Sequence, residues 1–125
     1  MEEKLVDCMD EWGVEFCDEF DLEFEELNED VKCSLIQHLN LLKIYGPQLP
    51  RPYADTLNGS TYPNMKELRF NADKGVWRVA FAFDPQRQAI ILVAGDKAGT
   101  NQQKFYQQLI GRADRRYTDH LNKSE

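Results

Sequence analysis

The chain has 125 residues with a formal net charge of −7, 42% hydrophobic and 30% charged residues. That length supports one domain with a single core, and no apolar run approaches the roughly 18 residues of a membrane span. The acidic N-terminus lacks the basic-then-apolar pattern of a secretory signal, and three cysteines without CxxC spacing fit a cytoplasmic protein with reduced thiols.

The charge is unevenly spread. Residues 1–30 hold fourteen acids and one base, a balance of −13, whereas residues 31–125 carry +6. A basic body behind an acidic front points to a polyanion partner for part of the surface, or to an acidic solubilising segment.

Residues 1–10 are polar and read as partly disordered. Trp12 to Phe16 alternates as a first strand. Phe20, Phe24 and Leu27 recur at helical spacing. Asn28 is placed to cap a second helix, with Glu29 and Asp30 in its first turn and Val31, Leu35, Ile36, Leu39 and Leu42 as its apolar stripe. Gly46-Pro47 stops that helix, and residues 46–64, with four of the five prolines, read as a loop.

Two strands follow, Met65–Phe70 and Val76–Phe83, joined by the turn-forming Asn71-Ala72-Asp73-Lys74-Gly75. Pairing Phe70 with Trp77 sets Leu68 opposite Val79 on one face and Arg69 opposite Arg78 on the other. Opposed like charges destabilise a sheet, so this register suggests an anion site; the alternative is two solvated arginines, or one paired with Glu67. Asp84–Arg87 turns the chain into a third strand, Ala89–Ala94. Gly95–Gly99 closes it, and Thr100 or Asn101 caps a last helix carrying Phe105, Tyr106, Leu109, Ile110, Ala113 and Tyr117.

The expected class is α+β: a small antiparallel sheet packed against two N-terminal helices, with a C-terminal helix, forming one domain over residues 1–125. The face bearing Leu68, Phe70, Trp77, Val79, Phe81 and Phe83 should meet the early helices. The other face carries Arg69, Arg78, Ala80 and Ala82, a shallow basic groove. Ile90 and Leu92 are expected to share it and to need cover from the last helix. Lys97 sits at its edge, where Asp96 either tethers the lysine or caps the turn. His38 and His120 are far apart in sequence, so no zinc site or other cofactor is expected.

The order and spacing of Gly46-Pro47, Leu57-Asn58-Gly59-Ser60, Lys66-Glu67-Leu68-Arg69, Trp77-Arg78-Val79 and Gly95-Asp96-Lys97 resemble HigB-type toxins of the RelE superfamily, over roughly residues 12–121. The resemblance implies a ribosome-dependent mRNA endonuclease held inactive by a cognate antitoxin, usually a helix-turn-helix protein. Its chemistry would be metal-independent attack of a ribose 2′-hydroxyl on the adjacent phosphate. Lys66, Arg69, Arg78 and Lys97 match the family's basic catalytic positions, with Tyr106, Lys104 and Arg112 contacting RNA. The chain departs from the family in having no histidine in the matching segments and in its acidic total, which leaves the acid and base unassigned. The competing class is a RelE-like binding module without catalysis that engages a helix-turn-helix partner.

Overall fold

A computed structural model describes residues 11–123; the segment expected to be disordered, 1–10, lies outside them. The elements are β1 (Gly13–Phe16), α1 (Asp18–Glu26), α2 (Glu29–Tyr45), a 3-10 turn (Gly46–Gln48), β2 (Ala54–Thr56), β3 (Met65–Ala72), β4 (Gly75–Phe83), β5 (Gln88–Asp96) and α3 (Gln102–Lys123). They build a five-stranded sheet in the order β1-β5-β4-β3-β2.

The β3–β4 register is the expected one: Phe70 pairs with Trp77, Leu68 with Val79 and Arg69 with Arg78. The hairpin turns on Asp73 and Lys74, both at positive φ (49° and 64°), as a two-residue turn matched to strand twist requires.

Three features differ from expectation. The sheet is mixed, because β1 runs parallel to β5 while all other pairs are antiparallel. A short strand, β2, forms inside the presumed loop and pairs with β3. Finally, β5 bulges: Ala80 faces Val93 and Phe81 faces Ile91, so Leu92 has no ladder partner and Val93 takes its place on the arginine face.

The first sheet face is covered by α1 and α2. Asn28 Oδ1 accepts from Val31 N at 3.0 Å, closing the N-terminus of α2. Val31, Leu35, Leu39 and Leu42 are buried, whereas Ile36 falls at the edge of the stripe and is exposed. His38 stacks on Phe70, ring centres 5.0 Å apart, and Phe16, Phe20 and Phe24 form an aromatic cluster. Gly46 ends α2 at φ 57°, and a Cβ there would collide with the Trp12 indole, so both backbone and packing call for glycine.

The second face is covered by α3, with Asn101 as the cap: its Oδ1 accepts from Lys104 N at 3.0 Å. Ala113 and Tyr117 are buried. Gly95 lets α3 approach, since a Cβ there would sit 2.9 Å from Phe105 Cε1.

The acidic helix α1 does not cover the arginines. It pairs with the C-terminal half of α3. Arg116, buried, donates to both carboxylate oxygens of Glu23 (2.9 and 2.6 Å) and to Leu92 O (2.8 Å). Arg115 lies 3.9 Å from Glu19, and Lys123 pairs with Asp18. Arg116→Ala should therefore loosen both α1 and the bulge. We expect a loss of about 2–3 kcal/mol in urea unfolding, less than for a fully buried pair because the Glu23 carboxylate stays partly hydrated. An unchanged midpoint would mean that Arg116 is not a structural clamp.

Candidate functional site

The hairpin register and the pleat together assemble a polar cluster at one end of the α3-covered face. Residues 67, 69 and 78 share this face because strand side chains alternate. Glu67, which pairs with Ala80 in the ladder, sits between the two arginines. Arg69 Nε lies 3.6 Å from Glu67 Oε2, and Arg78 Nε lies 3.9 Å from Glu67 Oε1. From α3, the Tyr106 hydroxyl donates to Glu67 Oε1 at 2.9 Å and accepts from Arg78 Nε at 3.2 Å. Arg78 Nη1 also donates to Trp77 O at 2.9 Å. Arg69 reaches outward to Asp55 of β2, 3.9 Å away.

Burial sets the electrostatics. The Glu67 side chain is 7% exposed and that of Arg78 10%, against 33% for Arg69. Burial pushes the Glu67 carboxyl above its ordinary value of 4.5, opposed by the Tyr106 hydrogen bond and the two arginines. Burial, and then Glu67, raise Tyr106 above 10.0, so its hydroxyl keeps its proton. Desolvation, followed by the Arg78 and Arg69 charges, lowers Lys97 below 10.5. Arg69 Nε is buried with no hydrogen-bond partner. Two guanidinium groups bridged by Glu67, one of them with an unsatisfied donor, could take an anion in place of the loose contact to Asp55.

Lys97 joins the cluster from the turn after β5. Its backbone N donates to Val76 O at 2.8 Å, and its Nζ stands 6.0 Å from the centre of the Tyr106 ring. Asp96 does not tether it. Instead Asp96 Oδ1 accepts from Val76 N and Ala98 N, both at 2.9 Å, and caps the turn.

Lys66 is not gathered here. One residue out of phase with Glu67 and Arg69, it shares the opposite face with Leu68 and Phe70 and pairs with Phe81. Lys104 and Arg112 are exposed on α3. At about 100° per residue, both point well away from Tyr106. Glu67, passed over except as a partner for an arginine, is the central side chain of the cluster. Its signal was present in the sequence: an acid two residues before Arg69 on an alternating strand. Among the described residues no group of three or more His, Cys, Asp or Glu side chains is placed to hold a metal ion, and no helix is long and apolar enough to cross a membrane.

Comparison with known proteins bears on the family and the fold. Residues 22–118 match the family described as phage derived protein Gp49-like (DUF891). A Mycobacterium tuberculosis protein named as a candidate toxin, HigB3, is 48% identical over 93 residues, covering 74% of this chain and 79% of its own. A second protein from the same organism, named as a candidate toxin HigB2, is 44% identical over 88 residues, 70% of this chain but 43% of its own length. The free state of a double mutant of the E. coli toxin RelE superposes with a TM-score of 0.59 at 14% identity, covering 82% of this chain and 97% of that one. The chain thus belongs to the phage-derived Gp49-like family, with HigB relatives and a RelE-like α+β fold.

Proposed function

We propose that this protein is the toxin of a toxin–antitoxin pair and acts in the cytoplasm as a ribosome-dependent mRNA endonuclease. The observation that carries the reading is the opposed pair Arg69 and Arg78, held through Glu67 and Tyr106 beside Lys97. The HigB names of its relatives support it.

In this reading the scissile phosphate docks on Arg69 and Arg78, whose guanidinium groups meet the charge that develops on its oxygens. The ribose 2′-oxygen attacks phosphorus, forming the 2′-O–P bond as the P–O5′ bond breaks. The 2′-proton passes to the Tyr106 oxygen while the Tyr106 proton passes to Glu67, along a hydrogen bond already formed. Lys97 donates a proton to the departing 5′-oxygen, and its lowered pKa makes that easier. The products are a 2′,3′-cyclic phosphate and a 5′-hydroxyl. No metal takes part in these steps. Lys66, Lys104 and Arg112 are left to contact RNA or the ribosome away from the reacting phosphate.

An antitoxin, a helix-turn-helix protein by family habit, restrains the activity. Expression of the chain alone should arrest growth and generate new mRNA ends with 5′-hydroxyls, and co-expression with the product of the adjacent reading frame should abolish both. Harmless expression with no new ends would favour the non-catalytic binding module instead.

Salt provides a separate check. Three cations on one strand of RNA should give a slope of log affinity against log salt on the order of −2. Filter binding to an uncleavable RNA between low and physiological salt measures it. Affinity that does not change with salt would remove the phosphate contacts from the account.

A further inference from the structure

We infer that the free edge of β1 is a docking site for an extended segment of another protein, in which basic side chains alternate with apolar ones. β1 ends the sheet with β5 as its one neighbour, and the arginines lie on β3 and β4, beyond β5. Phe16 is aligned with Ile91 of β5, and Cys17 N donates to Ile91 O at 3.0 Å. Bonded positions alternate along a parallel ladder. Glu15 and Cys17 therefore turn their backbone groups toward β5, and Val14 and Phe16 turn theirs outward. Trp12 N, before the strand, is closed off by Lys43 O at 2.8 Å. The outward N–H and C=O groups of Val14 and Phe16 meet no partner among the described residues. β1 carries none of the prolines, lysines or bulges that commonly blunt an edge.

Two clefts border this edge, one on each face of the sheet. On the side of α1 and α2, a cleft of about 480 Å³ is lined by Val14, Phe16, Ile36 and Leu39, with Asp21 and Lys43 of opposite charge. On the side of α3, a cleft of about 580 Å³ is lined by Glu15, Asp18, Glu19 and Asp119, together with Arg116 and Lys123. Glu15 and Phe16 line both, so the clefts meet across the strand edge. A strand laid about 4.8 Å from β1 sends successive side chains to opposite faces, and hence alternately into the two clefts. Backbone pairing supplies the affinity of such a contact, and the two rows of side chains supply its specificity.

Charge selects the occupant. In the cleft beside α3, Asp18 pairs with Lys123 and Glu19 lies 3.8 Å from Arg116, whereas Glu15 and Asp119 have no ion pair among the described residues. A lysine or arginine on the incoming strand supplies one. On the other face Ile36 is 43% exposed, a large apolar side chain that an incoming valine or isoleucine would cover. The same charges disfavour the two nearest alternatives. A second copy would bring its own Glu15 and acidic α1 against this edge. Residues 1–10 hold four acids and one base, so the chain's own N-terminal segment also carries the wrong sign.

The test uses the full chain, isotopically labelled for NMR, and two short synthetic peptides, one alternating lysine with valine and one alternating glutamate with valine. The basic peptide should shift the Val14 and Phe16 amide signals and slow their hydrogen exchange. At low salt it should bind on the order of tenfold tighter than the acidic one. A strand offers alternate N–H groups to each neighbour. Of two N-methylated basic peptides, one blocked at every valine and one at every lysine, one should therefore lose binding and the other keep it. The double variant Glu15→Lys/Asp119→Lys changes only exposed positions and should reverse the preference between the basic and acidic peptides, with thermal unfolding confirming that it is folded. A basic peptide that moves neither amide at about 1 mM, N-methylated peptides that both bind, or a preference unchanged in the double variant would each overturn the docking edge. So would slow exchange at Val14 and Phe16 without peptide: in a dimer it assigns the edge to a second copy, and in a monomer, if lost on removing residues 1–10, to the N-terminal segment. RNA cleavage is not a readout here, so the nuclease reading stands or falls separately.

Discussion

Arg78→Ala should slow RNA cleavage by on the order of 10²–10³-fold, about 2.7–4 kcal/mol of transition-state stabilisation, with Arg69→Ala close behind. In the proposed mechanism both arginines meet the developing phosphate charge, and they share a face with Glu67; Glu67 and Arg78 are nearly dry. The two variants are not equivalent. Arg78 also donates to Tyr106 and to Trp77 O, so its loss disturbs the tyrosine as well as the charge. Arg69 is more exposed and makes only loose ion pairs, so its replacement is the cleaner removal of a cation. Arg78→Lys should recover little, because a point charge cannot reproduce the guanidinium fork. Single-turnover cleavage, with thermal unfolding to confirm that each variant is folded, measures the effect. Full activity in both alanine variants would move the phosphate site elsewhere.

Glu67→Gln should cost on the order of 10²–10⁴-fold, the usual contribution of a general base, and should also change the shape of the pH profile. Glu67 must be ionised to accept a proton, so activity in the parent rises as pH increases through its carboxyl pKa, which burial sets above 4.5. Lys97 must be protonated to donate, so activity falls as pH increases through its pKa, which desolvation and the two arginines set below 10.5. The two shifts narrow the optimum from both sides. Glutamine at 67 can still accept from Tyr106 but cannot take its proton. The acidic limb should therefore vanish while the alkaline limb remains. An acidic limb that persists in Glu67→Gln would assign the base to another group.

Much of this architecture was legible in the residues, for physical reasons that can be named. The β3–β4 register followed from alternation and the turn-forming stretch Asn71–Gly75, and it set Arg69 against Arg78; that the turn itself tightens to Asp73 and Lys74 appears only in the structure. The cap at Asn28 and the glycine stop at Gly46 bounded α2 because their chemistry is local. The features that escaped notice depend on distant chain segments. Nothing near Gly13–Phe16 records that it lies parallel to β5, more than seventy residues away in sequence. The bulge at Leu92 looks like any other part of an apolar run. Lys66 is different, because alternation alone would have put it on the opposite face from Arg69. The family pattern of basic residues drew it into the cluster against that rule. Glu67 was missed for a related reason. An acid between two arginines reads as charge neutralisation; only burial and the Tyr106 hydroxyl show it to be the central side chain of the cluster.

The salt bridges between α1 and the C-terminal half of α3 have a consequence for how the molecule meets its target. Of the six carboxylates on α1, Asp18, Glu19 and Glu23 pair with Lys123, Arg115 and Arg116 of α3. Tyr106 marks the other end of the same helix, ten residues from Arg116, or about 15 Å along its axis. The acidic helix α1 and the arginine cluster thus lie toward opposite ends of α3, a separation of charge that the total of −7 hides. In the field of a polyanion such a body feels a torque before it makes contact, turning its acidic end outward and its arginine end inward. If RNA is the target, as proposed, an encounter that begins in any orientation is biased toward the one that presents the arginines, so a negatively charged protein could still meet a negatively charged target.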